Sequence, residues 1–270
     1  MREVAPGLAV GLARLRVRET LERQAHVLEE RVAERTRELE DVNVELERFA
    51  YTVSHDLRAP LRAMEGLSDA LLEDVGEALG PDGTEYARRI RAAAQRMDLL
   101  IHDLLAYSRI TTSRLEVEPL DLDLVVADAL GLVAGPIAAA DADIRVERGL
   151  GVVLGQQTMV AQAIANLVGN AVKFARPGVR PVVALRTEPR GAALRLWVED
   201  NGIGIEPRHA ERIFGVFERL HGAEAYPGTG IGLAIVAKAV ERLGGRTGVE
   251  LGTPTGSRFW LELPRAEPEA

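Results

Sequence analysis

"FAYTVSHDLRAPLR" (Phe49–Arg62) sets a histidine beside an aspartate, with a proline five residues beyond the histidine. Around it the chain reads as helix. From about Thr20 to Val75 the only internal breakers are Pro60 and Gly66. Upstream, Leu21, Ala25, Leu28, Val32, Leu39, Val42, Leu46, Phe49 and Val53 follow spacings of three and four, and Arg35 is the one polar residue at an expected seam position. A heptad seam with charged flanks predicts a parallel coiled coil, in preference to one amphipathic helix packed on its own domain. Leu8 and Leu15 do not continue this register, which leaves the role of residues 1–18 open.

At the motif the register shifts. Phe49, Val53 and Leu57 are spaced four and four, a stutter that locally unwinds a coiled coil. Residues two apart on a helix differ by about 200° in direction. His55 is two from Val53 and two from Leu57, so the spacing points it away from the seam and into solvent. A lone exposed histidine is ordinarily just solvated, and His26, His102, His209 and His221 take that reading. Pro60 removes the N–H that would bond the carbonyl of Asp56 and, with the stutter, marks a place to bend.

Downstream the apolar face resumes with Leu61, Met64, Leu67 or Ser68, and Leu71. "GEALGPDG" (Gly76–Gly83) reads as a turn. A second helix carries the stripe Tyr86, Ile90, Ala93, Met97, Leu100, Leu104 and Tyr107 or Ser108. Two helices joined in this way form a hairpin, and two hairpins in a dimer make a four-helix bundle. Residues 113–120 read as a linker, and beyond them the texture changes to α/β. "VVADALGLVAGPIAAA" and "TMVAQAIANLVGNAVKFA" (Thr158–Ala175) are helical, as is about Ile231–Arg242. "IRVERGLG", "VVLG", "PVVALRTEP", "AALRLWVEDNG" and "SRFWLELP" are strands. The expected architecture is α + α/β. It comprises a coiled coil (1–48), a helical hairpin (49–112), a linker (113–120), an α/β domain (121–265) and a tail (266–270).

The totals exclude several classes. The 270 residues are 47% hydrophobic and 27% charged, with a net charge of −8. That balance is globular and argues against a general nucleic-acid binder. With no cysteine, disulfides, thiol nucleophiles and cysteine-ligated metals are ruled out. No apolar run reaches the ~18–20 residues of a membrane helix, and the N-terminal residues lack a signal-peptide core. The expectation is a cytoplasmic protein.

Four stretches of the second half carry chemistry. In "NLVGNAVKFA" (Asn166–Ala175), Asn166 and Asn170 share one helical face with Lys173 nearby; amide oxygens suit Mg²⁺ and lysine suits phosphate. Capped or solvated amides would look the same. "DNGIG" (Asp200–Gly204) ends a strand with a carboxylate able to accept from an amino group such as adenine's, and is equally a hairpin turn. In "RIFGVFERL" (Arg212–Leu220), Phe214 and Phe217 read as helix-face core anchoring a mobile "HGAEAYPGTG". "GTGIGLAI" (Gly228–Ile235) is a glycine loop running into a helix, an anion site or a plain loop-to-helix turn. It lacks the ending of a P-loop and does not open a βαβ unit.

The order of these stretches is more specific than any one of them. Together they resemble the N, G1, F and G2 boxes of the ATP-binding domain of sensor histidine kinases, and "SHDLRAPLR" resembles that family's H box. "FERLHGAEAYPGTGIGLAI" looks most like the phytochrome-associated type. The resemblance spans about Leu21 to Pro264. It implies a Bergerat-type α/β sandwich that binds ATP and Mg²⁺. Asp200 would take the adenine amino group, Asn170 the Mg²⁺, and Asn166 and Lys173 the phosphates. Gly202 and Gly204 would shape the base pocket, Ser257 would lie near the adenine, and Phe217 would belong to the ATP site. Gly228, Gly230 and Gly232 would form the hinge of a lid over the phosphates, and Thr229, Ile231 and Leu233 between them would also belong to the ATP site.

The resemblance further implies that His55 is the phosphoacceptor, with Asp56 as its base, and that the phosphoryl group passes on to an aspartate of a response-regulator receiver domain. Partners would be a second copy of the chain, the regulator (docking near Arg62, Met64 and Glu65) and an upstream sensor domain. Many relatives carry Thr or Asn four residues after the histidine, where it positions water for dephosphorylating the regulator. Here Ala59 stands there, which implies weak phosphatase activity. A catalytically degenerate dimeric scaffold and a non-kinase ATPase of the same superfamily are the alternatives. The intact Asn170, Lys173, Asp200 and loop glycines oppose the first, and the histidine-bearing hairpin opposes the second.

Overall fold

The structure is a computed structural model. It describes residues 5–210, 212–220, 226, 228–250 and 256–266, and within the first helix only some of the side chains before residue 52. The chain divides into two compact units, Met1–Phe49 and Ala50–Ala270. The expected tail beyond residue 266 and most of "HGAEAYPGTG" lie outside the described residues.

Helix α1 (Ala5–Asp74) passes through both units. It begins upstream of the predicted seam and runs unbroken through Pro60, so the lost N–H does not end the helix. In the first unit the described seam residues Leu28 and Val42 are exposed; Leu21, Ala25, Val32, Leu39, Leu46 and Phe49 fall outside the described side chains.

In the second unit the C-terminal part of α1 packs on α2 (Gly76–Thr112). The predicted eight-residue turn is a correction. The helix resumes at Gly76 directly after Val75, and the only break is at Gly80 (φ 64°), just before Pro81. Glycine tolerates that conformation, and Pro81 can restart the helix because an N1 position needs no N–H donor.

The predicted stripes divide between two faces. The hairpin's own core is Leu61, Ala94 and Ile101, with Ser54, Ser68, Ala87 and Leu105 also buried. Val53, Leu57, Met64, Leu67 and Leu71 on α1, and Tyr86, Ile90, Met97 and Leu104 on α2, are exposed. The larger residues thus form a second stripe beside the buried one. Polar pairs bridge the two helices: Arg58 with Asp98 (3.5 Å), Asp69 with Arg91 (2.9 Å) and Glu65 with Gln95 (2.7 Å).

The α/β part begins earlier than residue 121. Strand β1 (Glu118–Asp121) lies in the expected linker and pairs antiparallel with β3 (Val152–Gly155), burying Leu120. The helical stretch after it is two helices, α3 (Leu122–Leu132) and α4 (Ala134–Ala139), separated at Val133. Asp121 caps α3 by accepting from the N–H of Asp123 (2.9 Å).

The main sheet has the order β2 (Asp143–Val146), β4 (Val182–Arg190), β5 (Ala193–Asp200), β7 (Arg258–Pro264), β6 (Arg246–Glu250). β2 runs parallel to β4 and the other pairings are antiparallel. Its inward residues, among them Val183, Leu185, Leu196, Val198, Phe259 and Leu261, pack on α3, α5 (Gln157–Lys173) and α6 (Gly232–Arg242). The period-two alternation makes the other face a ladder of charge: Arg186, Arg195 and Arg258 lie over the Trp197 ring (4.7–5.2 Å to its centroid), which leaves that indole 1% exposed.

Candidate functional site

Helix α5 supplies one wall of a cavity of about 280 Å³. Its buried face (Val160, Ile164, Leu167, Val168, Ala171) points at the sheet, which turns Asn166, Asn170 and Lys173 to the opposite side at helical spacing. These three line the cavity together with Asp200, Gly204, Gly228, Thr229, Gly230, Gly232, Leu233 and Ser257, as the sequence suggested. Three other predicted residues do not line it. Gly202 lies just behind, Ile231 is fully buried in the core at the start of α6, and Phe217 is 60% exposed. Phe217 is the clearest correction. The segment is a short 3₁₀ turn (Arg212–Phe214), and Phe217 follows it at φ 64°, so no helical face exists to carry it inward. Phe214 does pack against the core, edge-on to Phe259 at 6.3 Å.

At one end of the cavity stands Asp200, the last residue of β5. Its Oδ1 accepts from the backbone N–H of Gly202 (2.8 Å) and of Ser257 (3.1 Å). Burial pushes its carboxyl above the usual carboxylate range, against the opposing pull of those hydrogen bonds. Gly202 is required here: a Cβ would run into the carbonyl oxygen of Phe174 and come within 2.9 Å of Asp200 Oδ1. Ile203, Ile205, Ile213, Leu220 and Phe259 add apolar walls to the cavity.

The opposite chemistry comes from Lys173 and Arg219. Burial and the Arg219 guanidinium both push the Lys173 ammonium below its usual value, and Asp103 partly offsets them. Two cations in a partly desolvated pocket attract polyanions. Glycine-loop residues Gly228 to Gly230 border this region, and α6 begins without a side-chain cap, its first N–H groups left for another acceptor. The Asn166 side-chain nitrogen is buried with no hydrogen-bond partner. A buried donor of this kind calls for an acceptor. A carboxylate acceptor, an apolar slot, an orphan amide and two cations fit a purine nucleotide with its phosphates. Asn170 offers an amide oxygen of the type that suits Mg²⁺.

Sequence reasoning missed several lining residues. Phe174 and Tyr226, with ring centroids 5.1 Å apart, were within quoted stretches but looked like plain core or loop. Arg219 sits one residue past Glu218 in "FERL" and had only its charge as a signal. Leu99 and Asp103 come from α2 and had none: they reach the cavity because the end of the hairpin packs on the α/β domain. Ile110 belongs to that domain's core, and Arg242 of α6 donates to the carbonyls of Ile110 and Ser113.

His55 stands on α1 with its side chain 67% exposed, as its spacing predicted. Its Nδ1 lies 3.2 Å from Asp56 Oδ1. That contact engages Nδ1 and not Nε2.

Comparison with known proteins follows the same division. The His Kinase A (phospho-acceptor) domain family matches residues 45–113, and the histidine kinase-, DNA gyrase B- and HSP90-like ATPase family matches residues 155–267. Cyanobacterial phytochrome B of Nostoc sp. is 37% identical over 227 residues, which is 84% of this chain and 30% of that protein. The methanogenesis regulatory histidine kinase FilI of Methanothrix harundinacea is 32% identical over 263 residues, 97% of this chain and 29% of that protein. The chain therefore spans about a third of the length of these curated relatives. Among solved structures, full-length ShkA in complex with AMPPNP is similar with a TM-score of 0.60 and 28% identity, over 83% of this chain and 47% of that one.

Proposed function

The chain belongs to the sensor histidine kinases, and on that premise we propose that it transfers the γ-phosphoryl group of ATP to His55 and then to an aspartate of a response regulator. The observation that carries this reading is the exposed His55 held by Asp56 on the same chain as a cavity with nucleotide-like polarity.

In this reading Asp200 keeps one oxygen on two backbone N–H groups and offers the other to the adenine amino group. The unpartnered Asn166 amide nitrogen, Lys173 and Arg219 receive the phosphates. Asn170 would hold Mg²⁺, which when bound neutralises charge on the phosphate oxygens. Asp56 accepts the Nδ1–H of His55, fixing the tautomer that presents the Nε2 lone pair. Nε2 forms the N–P bond as the bond from the γ-phosphorus to the bridging oxygen of ADP breaks. The Nδ1 proton then passes toward Asp56, leaving a phosphoramidate whose imidazole ring carries no charge. The receiver aspartate takes the phosphoryl group from that nitrogen.

The exposed stripe of Val53, Leu57, Met64, Tyr86, Ile90, Met97 and Leu104 suits burial against a second copy, giving a four-helix bundle. Ala59 has no hydrogen-bonding side chain to position water, so dephosphorylation of the regulator is weak.

Incubation with γ-labelled ATP and Mg²⁺ tests the kinase step. Acid-labile, alkali-stable label on the wild type that vanishes in both His55→Ala and Asn170→Ala is the expected result. Label surviving His55→Ala would remove His55 as nucleophile. Nucleotide hydrolysis with no protein label would favour a non-kinase ATPase.

A further inference from the structure

Asp103 is an acidic side chain in an unexpected place. It lies near the C-terminal end of α2, yet it lines the cavity beside Lys173, Gly228 and Thr229. Its Oδ2 accepts a hydrogen bond from the hydroxyl of Thr229, in the glycine loop. Its carboxylate is close enough to Lys173 to raise the ammonium's proton affinity. Asp103 thus provides the negative charge that a phosphate group would otherwise bring to the same cation. A carboxylate and a polyphosphate in one pocket repel each other, and in a partly buried site screening by water is weak.

The contact is also placed where it can give way. A few turns along the chain, α2 is tied to the α/β domain by the buried Ile110 side chain and by Arg242, which donates to the Ile110 and Ser113 carbonyls. Those ties involve neither the cavity nor the glycine loop. Asp103 is by contrast only half-buried, and its second oxygen lies 3.6 Å from the exposed His102. Thr229 itself is bracketed by Gly228 and Gly230. At Gly230 (φ 77°) a side chain would meet the Glu218 carbonyl oxygen at 2.8 Å, so the loop turns there on a residue with no Cβ. The loop can therefore release Thr229 without disturbing the anchor of α2.

We propose that Asp103 and Thr229 form a latch that competes with nucleotide phosphates: the Asp103 carboxylate holds the glycine loop against α2, and the phosphate tail displaces it. The hairpin that carries His55 is thereby coupled to occupancy of the nucleotide site. The inference rests on the nucleotide reading of the cavity.

Calorimetric titration of the whole chain with adenosine, ADP and a non-hydrolysable ATP analogue, each with Mg²⁺, tests it. Asp103→Ala removes both the charge and the hydrogen bond; Asp103→Asn removes the charge and keeps hydrogen-bonding capacity. The expected result is a gain that grows with phosphate number: adenosine affinity unchanged, ADP affinity higher, and ATP-analogue affinity higher by about tenfold in Asp103→Ala. Asp103→Asn gives an intermediate gain and, being nearly isosteric, guards against a folding artefact. A role confined to structure would move all three ligands alike, and that outcome overturns the latch. A loss of ATP-analogue affinity also overturns it, by making Asp103 a constructive ligand. If wild type binds the series and both variants match it, the latch fails and the nucleotide reading stands. If neither wild type nor variants bind any of the three, both fall.

Discussion

Replacing Asp200 by Asn probes the specificity end of the cavity. The side chains are nearly isosteric, so the test turns on hydrogen-bond direction. In the native protein Oδ1 accepts from Gly202 N–H and Ser257 N–H. Both donors are rigidly placed, by the strand end and by the start of β7. An asparagine must turn its only oxygen to them, because leaving them unpaired costs roughly 1–3 kcal/mol each. Its NH₂ group then faces the position proposed for the adenine amino group, donor against donor. The variant loses a charge-assisted hydrogen bond and gains an unsatisfied pair, about 2–4 kcal/mol together, or roughly a 30- to 700-fold weaker Kd for ATP. Inosine triphosphate has an acceptor oxygen where adenine has its amino group, so it should lose far less, and the preference for ATP over ITP should collapse.

The native side chain also sets a pH dependence. Its carboxyl is raised by burial, and adenine binding needs the anion. Affinity is therefore full above the raised pKa and falls as pH drops through it, before ordinary carboxylates titrate. For folding the sign is opposite. A raised carboxyl costs stability above its folded pKa, and that cost disappears as pH falls toward the unfolded value. Calorimetry across pH with ATP and ITP reads both effects. An Asn variant that binds ATP within twofold of wild type, or that weakens ATP and ITP equally, would refute the assignment of Asp200 to the base.

Four further outcomes are expected. Gly202→Ala should lower thermal stability by about 1–3 kcal/mol and weaken ATP binding, because its Cβ meets the Phe174 carbonyl and crowds Asp200; an unchanged melt and Kd would contradict the packing described. Arg242→Ala should destabilise the fold by about 1–3 kcal/mol through two lost carbonyl contacts, read as a lower urea midpoint, with adenosine affinity unaltered. Met97→Glu combined with Leu104→Glu should convert a dimer to monomer in sedimentation experiments, since two exposed apolar residues of α2 would be charged; a persistent dimer would move the interface elsewhere. Ala59→Asn should speed dephosphorylation of an added phospho-regulator over a slow wild-type rate, and a brisk wild-type rate lost in other Ala59 variants would contradict the role given to Ala59.

Much of the fold was legible because burial and periodicity coincide. Strands β4, β5 and β7 begin in alternation and α5 carries an uninterrupted apolar face, so their types and approximate ends follow from pattern alone. Strand β1 was misread because four residues with one buried side chain, Leu120, carry no period to detect. In the hairpin the pattern was read correctly as apolar, but it did not separate the face that packs within the hairpin from the face that stays exposed. Each helix has two adjacent stripes, and small residues such as Ala87 and Ala94 took the intra-hairpin contact while Ile90, Met97 and Leu104 stayed outside. Close helix approach favours small side chains, so a stripe of the largest residues need not mark a hairpin's own core.

The sequence by itself determined which groups this protein can use. It placed His55 opposite its helix's apolar residues and Asp56 beside it. It also set Asn166, Asn170 and Lys173 on one face and Asp200 at a strand's end. Those are local matters of spacing, and helix and strand geometry settles them. Only the tertiary structure decided that Phe217 stays outside the cavity while Phe174, Arg219 and Tyr226 line it, and that Asp103 enters from another part of the chain. Such placements depend on how α2 docks on α6 and on the backbone path of a loop at positive φ. They arise from contacts between residues more than a hundred positions apart, such as Asp103 with Thr229, and no local period encodes these.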